Sequence, residues 1–245
     1  MRHARPTRRP GSSGGSDTWP FLRSLIGDVL DLVHPRECAG CGTSAAPLCP
    51  GCASALRAGA FAHRPTPTPR GLPLVFAAAP YTGTVQAAII AWKERGRRDL
   101  MPPLADALAL AIAAAVRERA LTGPVAVVPV PASRAARRAR GEDIVSVLAR
   151  RACRTLQRQG ASVECGELLE IRGAPRDQSG LDRQARLANL RNTMAALARP
   201  AGMPVVVVDD VVTTGSTLLE ASRALEAAGI PVHAAATVAA TSRRG

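Results

Sequence analysis

Residues 204–217, PVVVVDDVVTTGST, constrain the fold more than any other stretch. Four successive valines have no polar face, so the strand they form must be covered on both sides. Strands of that kind belong to parallel sheets with helices on each face. A second such run, VAVVPVP at 125–131, has the same character, and LVFAAAP at 74–80 reads as a third strand. Between them lie helical patterns: 84–96 with Val85, Ala88, Ile89 and Trp92 on one face, an Ala- and Leu-rich segment at 103–119, and 142–160 ending at Gly160. Further expectations are a strand near 167–171, a helix at 181–198, a helix at 215–229 and a last strand near 231–239. Strand alternating with helix predicts an α/β fold, a mostly parallel sheet flanked by helices.

In such sheets ligands gather beyond the carboxyl ends of the strands. Asp209 and Asp210 stand at one of those ends, and TTGST opens the next helix. The unpaired N–H groups of a helix start favour an anion. Thr213, Thr214, Ser216 and Thr217 add hydroxyls, and Gly215 lets the backbone come close. Carboxylates do not hold an anion, so the acid pair suits sugar hydroxyls or Mg²⁺. A sugar phosphate satisfies both halves; the alternative, a turn at Asp209 and Asp210 with Thr213 or Thr214 capping a helix, is disfavoured by strand, acid pair, hydroxyl-rich turn and helix following one another in sequence. The G-x-x-x-x-G-K-[ST] loop of nucleotide hydrolases is absent from the sequence.

This segment resembles the phosphoribosyl-pyrophosphate (PRPP) motif of type I phosphoribosyltransferases. The resemblance implies that Asp209 and Asp210 contact the ribose hydroxyls, with Mg²⁺ accompanying the PRPP, while Thr213, Thr214, Gly215, Ser216 and Thr217 hold the 5-phosphate. VVPVPASR resembles the family's pyrophosphate loop, which implies that Val130, Pro131, Ala132, Ser133 and Arg134 meet the leaving group. Read without that likeness, Pro129 and Pro131 merely terminate a strand. Three further segments resemble the ComF/GntX group: Lys93–Gly96, RRARG at 137–141, and Gln178, Leu181, Arg186 and Asn189 within QSGLDRQARLAN. That group usually continues R-G-F-N-Q, whereas here Glu142, Asp143 and Ile144 follow Gly141.

Lys93 is the one lysine among 32 basic residues. A compact ammonium kept where arginine is otherwise used fits a pyrophosphate contact, although a lysine at a helix end also snorkels to solvent. Arg183 and Arg186 suit either a hood over the pyrophosphate, with Gln178 and Asn189, or the solvated face of a helix.

Cys38, Cys41, Cys49 and Cys52 form two C-x-x-C knuckles with glycines beside them. Four thiolates presented by two tight turns close a tetrahedral site with no open position, so a structural Zn²⁺ is expected. The same ligands would serve an iron–sulfur cluster. Cys153 and Cys165 read as ordinary buried residues.

The expected organisation is a disordered basic tail at 1–18, a helix plus cysteine module at 19–62, a proline-rich linker at 63–73 and the main domain from 74 to 245. Leu22, Leu25, Ile26, Val29, Leu30 and Val33 mark the first helix. Every apolar run is interrupted by charge, Gly or Pro, so neither a bilayer span nor a secretion signal is expected and the reading is cytoplasmic. A formal charge of +13 leaves a second class open, an adaptor for single-stranded DNA or for a competence-protein partner. Only 2% aromatic residues argue against stacking on bases.

Overall fold

The computed structural model describes residues 37–43, 46–172, 192–197 and 202–241. The basic tail, the helix expected at 22–33 and all four hood residues, Gln178, Arg183, Arg186 and Asn189, lie outside the described residues.

Eight strands and six helices are described: α1 (Pro50–Leu56), β1 (Phe61–His63), β2 (Val75–Pro80), α2 (Gly83–Glu94), α3 (Met101–Glu118), β3 (Val125–Pro129), α4 (Arg134–Arg140), α5 (Ile144–Arg158), β4 (Val163–Cys165), β5 (Leu169–Ile171), β6 (Met194–Ala196), β7 (Val205–Val212), α6 (Ser216–Ala227) and β8 (Val232–Ala240). A six-stranded sheet runs β1-β2-β8-β7-β3-β4, with every pairing parallel except β1 against β2. From Glu37 onward the chain clusters as one compact unit.

The valine run explains itself in this register. Val206 and Val208 join one core with Ala234, Ala236, Ile112 and Leu148, beneath α2, α3 and α5. Val205 and Val207 join the opposite core with Leu218, Ala221 and Leu225 of α6. Both faces of β7 are dry, as four consecutive apolar residues require.

Several expectations change. Of the helix expected at 181–198, residues 181–191 lie outside the described residues, and near its end the structure has strand instead, Met194–Ala196, paired antiparallel with β5. Met-Ala-Ala has good helix propensity, but Glu220 Oε1 accepts from the Met194 N–H at 3.0 Å and Arg223 donates to the Met194 carbonyl at 3.0 Å, so tertiary bonds override it. The segment expected as a linker begins inside β1, and Leu72 is buried in the second core. Helix α4 and strand β4 are additions to the sequence reading. Finally, Arg98–Glu118 has the length and apolar composition of a bilayer span, against expectation, yet 56% of its apolar window is buried. Its alanines and leucines pack on the sheet as a core helix.

Candidate functional site

A cleft of about 420 Å³ opens at the carboxyl ends of β2, β3 and β7. It sits where the chain order reverses, β3 leading outward to β4 and β7 to β8, the position at which doubly wound sheets bind ligands. Asp209 and Asp210 lie inside β7, which runs on to Val212.

Of the expected residues, Lys93, Val130, Pro131, Ala132, Ser133, Asp209, Asp210, Thr213 and Thr217 line this one cleft. They come from three segments far apart in sequence. Arg134 is exposed and Thr214, Gly215 and Ser216 stand behind the lining. Thr214 Oγ1 and Ser216 Oγ are 2.7 Å apart, a hydroxyl pair that fixes the turn. Gly215 is required there: its φ is +77°, and a Cβ would sit 2.7 Å from Leu72 Cδ2.

Asp210 is buried, and its Oδ2 carries Lys93 Nζ at 2.6 Å. The same oxygen has no well-oriented hydrogen bond, so the ammonium is its compensation. Its other oxygen accepts from the Val211 N–H at 2.8 Å, and Asp209 Oδ1 accepts from the Asp210 N–H at 2.8 Å. Loss of hydration holds Asp209 well above the ordinary carboxylate range; the charge of Asp210 adds to this and Lys93 opposes it. At Lys93 burial works to lower the pKa, but Asp210 and then Asp209 more than offset it, and the net direction is upward. Two acids and one lysine therefore form one electrostatic unit lining the cleft, in which burial and the Asp210 charge favour the protonated form of Asp209.

The opposite wall is held by a residue the motif reading did not single out. Asp143 Oδ2 accepts from the Ala132 N–H at 2.7 Å, and its Oδ1 accepts from the Ser146 N–H at 3.2 Å, capping α5. The 130–134 loop is thereby tied to a helix start. An acid immediately before the apolar run IVSVL was the available signal. Tyr81 and Arg140 also line the cleft. Tyr81 directly follows β2, so the strand-end rule would have found it, and Arg140 lies within the quoted RRARG.

The four cysteine sulfurs lie within 4.8 Å of one another, with Cys41 and Cys49 Sγ 3.6 Å apart. Zn–S bonds of about 2.3 Å in a tetrahedron place sulfurs roughly 3.8 Å apart. Burial works against ionisation of Cys38, yet backbone N–H groups of Cys49, Cys41 and Gly40 bring it down to about 6. Burial and the neighbouring thiols push Cys52 up to about 12. A crowd of sulfurs that cannot all ionise alone is what a bound dication relieves, so these residues fit a metal.

No curated protein matches the chain. The phosphoribosyl transferase domain model matches residues 104–245, which takes in β3, the 130–134 loop, the acid pair and the TTGST turn, and leaves Lys93 and the four clustered cysteines outside it. With more than half of its length covered, the chain belongs to the phosphoribosyl transferase domain family.

Proposed function

We propose that the chain binds PRPP with Mg²⁺ and transfers its phosphoribosyl group to a nitrogenous acceptor, as a ComF-like cytoplasmic phosphoribosyltransferase with a structural zinc. One observation carries this reading: the acid pair, Thr213 and Thr217 of the turn into α6, and residues 130–133 line a single cleft at the sheet's switch point. Asp209 and Asp210 accept hydrogen bonds from the ribose hydroxyls. The N–H groups and hydroxyls of 213–217 receive the 5-phosphate. Lys93 leaves Asp210 to meet the pyrophosphate beside residues 130–134, where Mg²⁺ supplies further neutralising charge. Displacement at ribose C1 then relies on positioning and on stabilising the departing pyrophosphate.

Isothermal titration with PRPP and Mg²⁺ tests the reading. Wild type should bind, and Asp209→Asn should bind at least about tenfold more weakly, the loss of one charge-assisted hydrogen bond. The exposed control Glu118→Gln should bind like wild type. No heat at millimolar PRPP overturns the proposal.

A second reading, an adaptor for single-stranded DNA or a competence protein, draws on α4, where Arg134, Arg137 and Arg138 are exposed beside the cleft. Salt-dependent DNA binding kept in Asp209→Asn and Asp210→Asn but lost with the cysteines favours it.

A further inference from the structure

The helix that carries Lys93 is gripped at both ends by the cysteine module. At its first turn, Gly40 of the first knuckle packs so closely that a Cβ there would lie 2.7 Å from Cys52 Sγ and 3.1 Å from Thr84 Cβ. Just past its last turn, Arg97 Nη1 donates to the Glu37 carbonyl at 3.2 Å and Nη2 to the Pro47 carbonyl at 3.5 Å. Glu37 adjoins Cys38, and Pro47 stands two residues before Cys49, so one guanidinium reaches the backbone leading into both knuckles. The Arg97 N–H in turn donates to the Ala91 carbonyl at 3.1 Å, on the final turn of α2. Asp99 fixes the guanidinium, accepting from Nε at 2.9 Å and from Nη2 at 2.8 Å. Between these contacts Leu56 of α1 is buried in the same core cluster as Ile89 and Trp92.

We infer that the metal-loaded cysteine module sets the place of Lys93 over Asp210, with Arg97 as the positioning residue that joins the two. The Ala39 N–H donates to the Pro47 carbonyl at 3.0 Å and the Cys49 N–H to Cys38 Sγ at 3.2 Å, so the knuckles meet through backbone as well as at the sulfurs. A metal held by the four sulfurs would fix their spacing, and Arg97 transmits that spacing to the end of α2. Lys93 stands on the last turn of α2, and Arg97 is tied back to that turn past Gly96, whose φ is +66°, by its N–H bond to the Ala91 carbonyl. Metal binding and the state of the acid pair are then linked, and by reciprocity whatever takes Lys93 away from Asp210 also alters how firmly the metal is held. The catalytic consequence rests on the PRPP reading; the linkage itself does not.

Because Lys93 is the only lysine, reductive methylation of the full-length, zinc-loaded chain with ¹³C-formaldehyde labels it alone apart from the terminal amine, which titrates near pH 8. Asp210→Asn supplies the reference resonance of a broken pair. Arg97→Ala with zinc still bound one to one should move the Lys93 resonance at least halfway to that reference, and chelation of wild type should do the same. Arg97→Gln, a milder change, should give an intermediate shift. A Lys93 resonance unchanged in both zinc-loaded Arg97 variants overturns the inference, even if chelation unfolds wild type. If wild type binds no PRPP yet these shifts occur, the functional proposal fails and the linkage stands.

Discussion

The cysteine module takes its four sulfurs from fifteen consecutive residues, whereas the cleft is assembled from 81–93, 130–145 and 209–217. One site is local in sequence and its four sulfurs could hold a metal, whereas the other is assembled by a sheet. Leu56 of the module is buried in the main core and Ala39, Leu48 and Ala55 pack against it, so a bound metal would add to packing that the module shares with the rest of the fold. The cleft inherits its geometry from β2, β3 and β7, which are packed on both faces. A substitution at the first site should act on folding of the module, and one at the second should act on ligand binding while the sheet endures.

The largest expected effect breaks the module. Cys52→Ser, at a buried ligand, should abolish stoichiometric zinc and cost about 4 kcal/mol or more, lowering the melting temperature by roughly 10 °C. Calorimetry with metal analysis checks this; unchanged melting with zinc lost would mean the metal holds nothing together. Next comes the cleft's backbone. Gly215→Ala combines a left-handed conformation with contact against Leu72, at about 2 kcal/mol, and a urea titration reads it. A loss below about 0.5 kcal/mol would show that Leu72 moves aside freely.

Lys93→Ala should cost about 1–2 kcal/mol, a figure reduced for solvent screening because the lysine is partly exposed. Asp210 then keeps its burial without its partner. Lys93→Arg should restore little, since a planar fork does not reproduce the single 2.6 Å ammonium contact.

The smallest effect is a pH dependence. Asp209 binds its proton more tightly folded than unfolded, so its contribution to stability is fully present below the unfolded value near 4 and declines as pH rises through the folded value. Asp209→Asn should flatten that decline. Denaturation midpoints across the range above pH 4 measure it, and an identical slope in both proteins would contradict the elevated carboxyl.

The same contrast decides what the sequence could disclose. The knuckles are local, and spacing alone picked out the four cysteines whose sulfurs lie together. Valine runs disclosed β7 and β3 because a strand without a polar side leaves one solution. The strand at Met194–Ala196 was hidden, since its state is imposed by Glu220 and Arg223 some thirty residues on. Asp143 was hidden differently: its partner, the Ala132 N–H, is eleven residues back across a helix and a turn. In the cleft, the individual motifs could be read, but the pairing of Lys93 with Asp210 depends on α2 packing over the end of β7, which no local pattern encodes.

The core facing α3 is built largely of alanine: Ala105, Ala107, Ala111 and Ala115 from the helix, and Ala234, Ala236 and Ala239 from β8. Methyl groups have no rotamers to surrender, so this layer orders itself at almost no side-chain entropy cost. It compensates for scant aromatic bulk by close approach of backbones. The consequence is an asymmetric tolerance: trimming has nothing left to remove, while any added methylene must push helix and sheet apart.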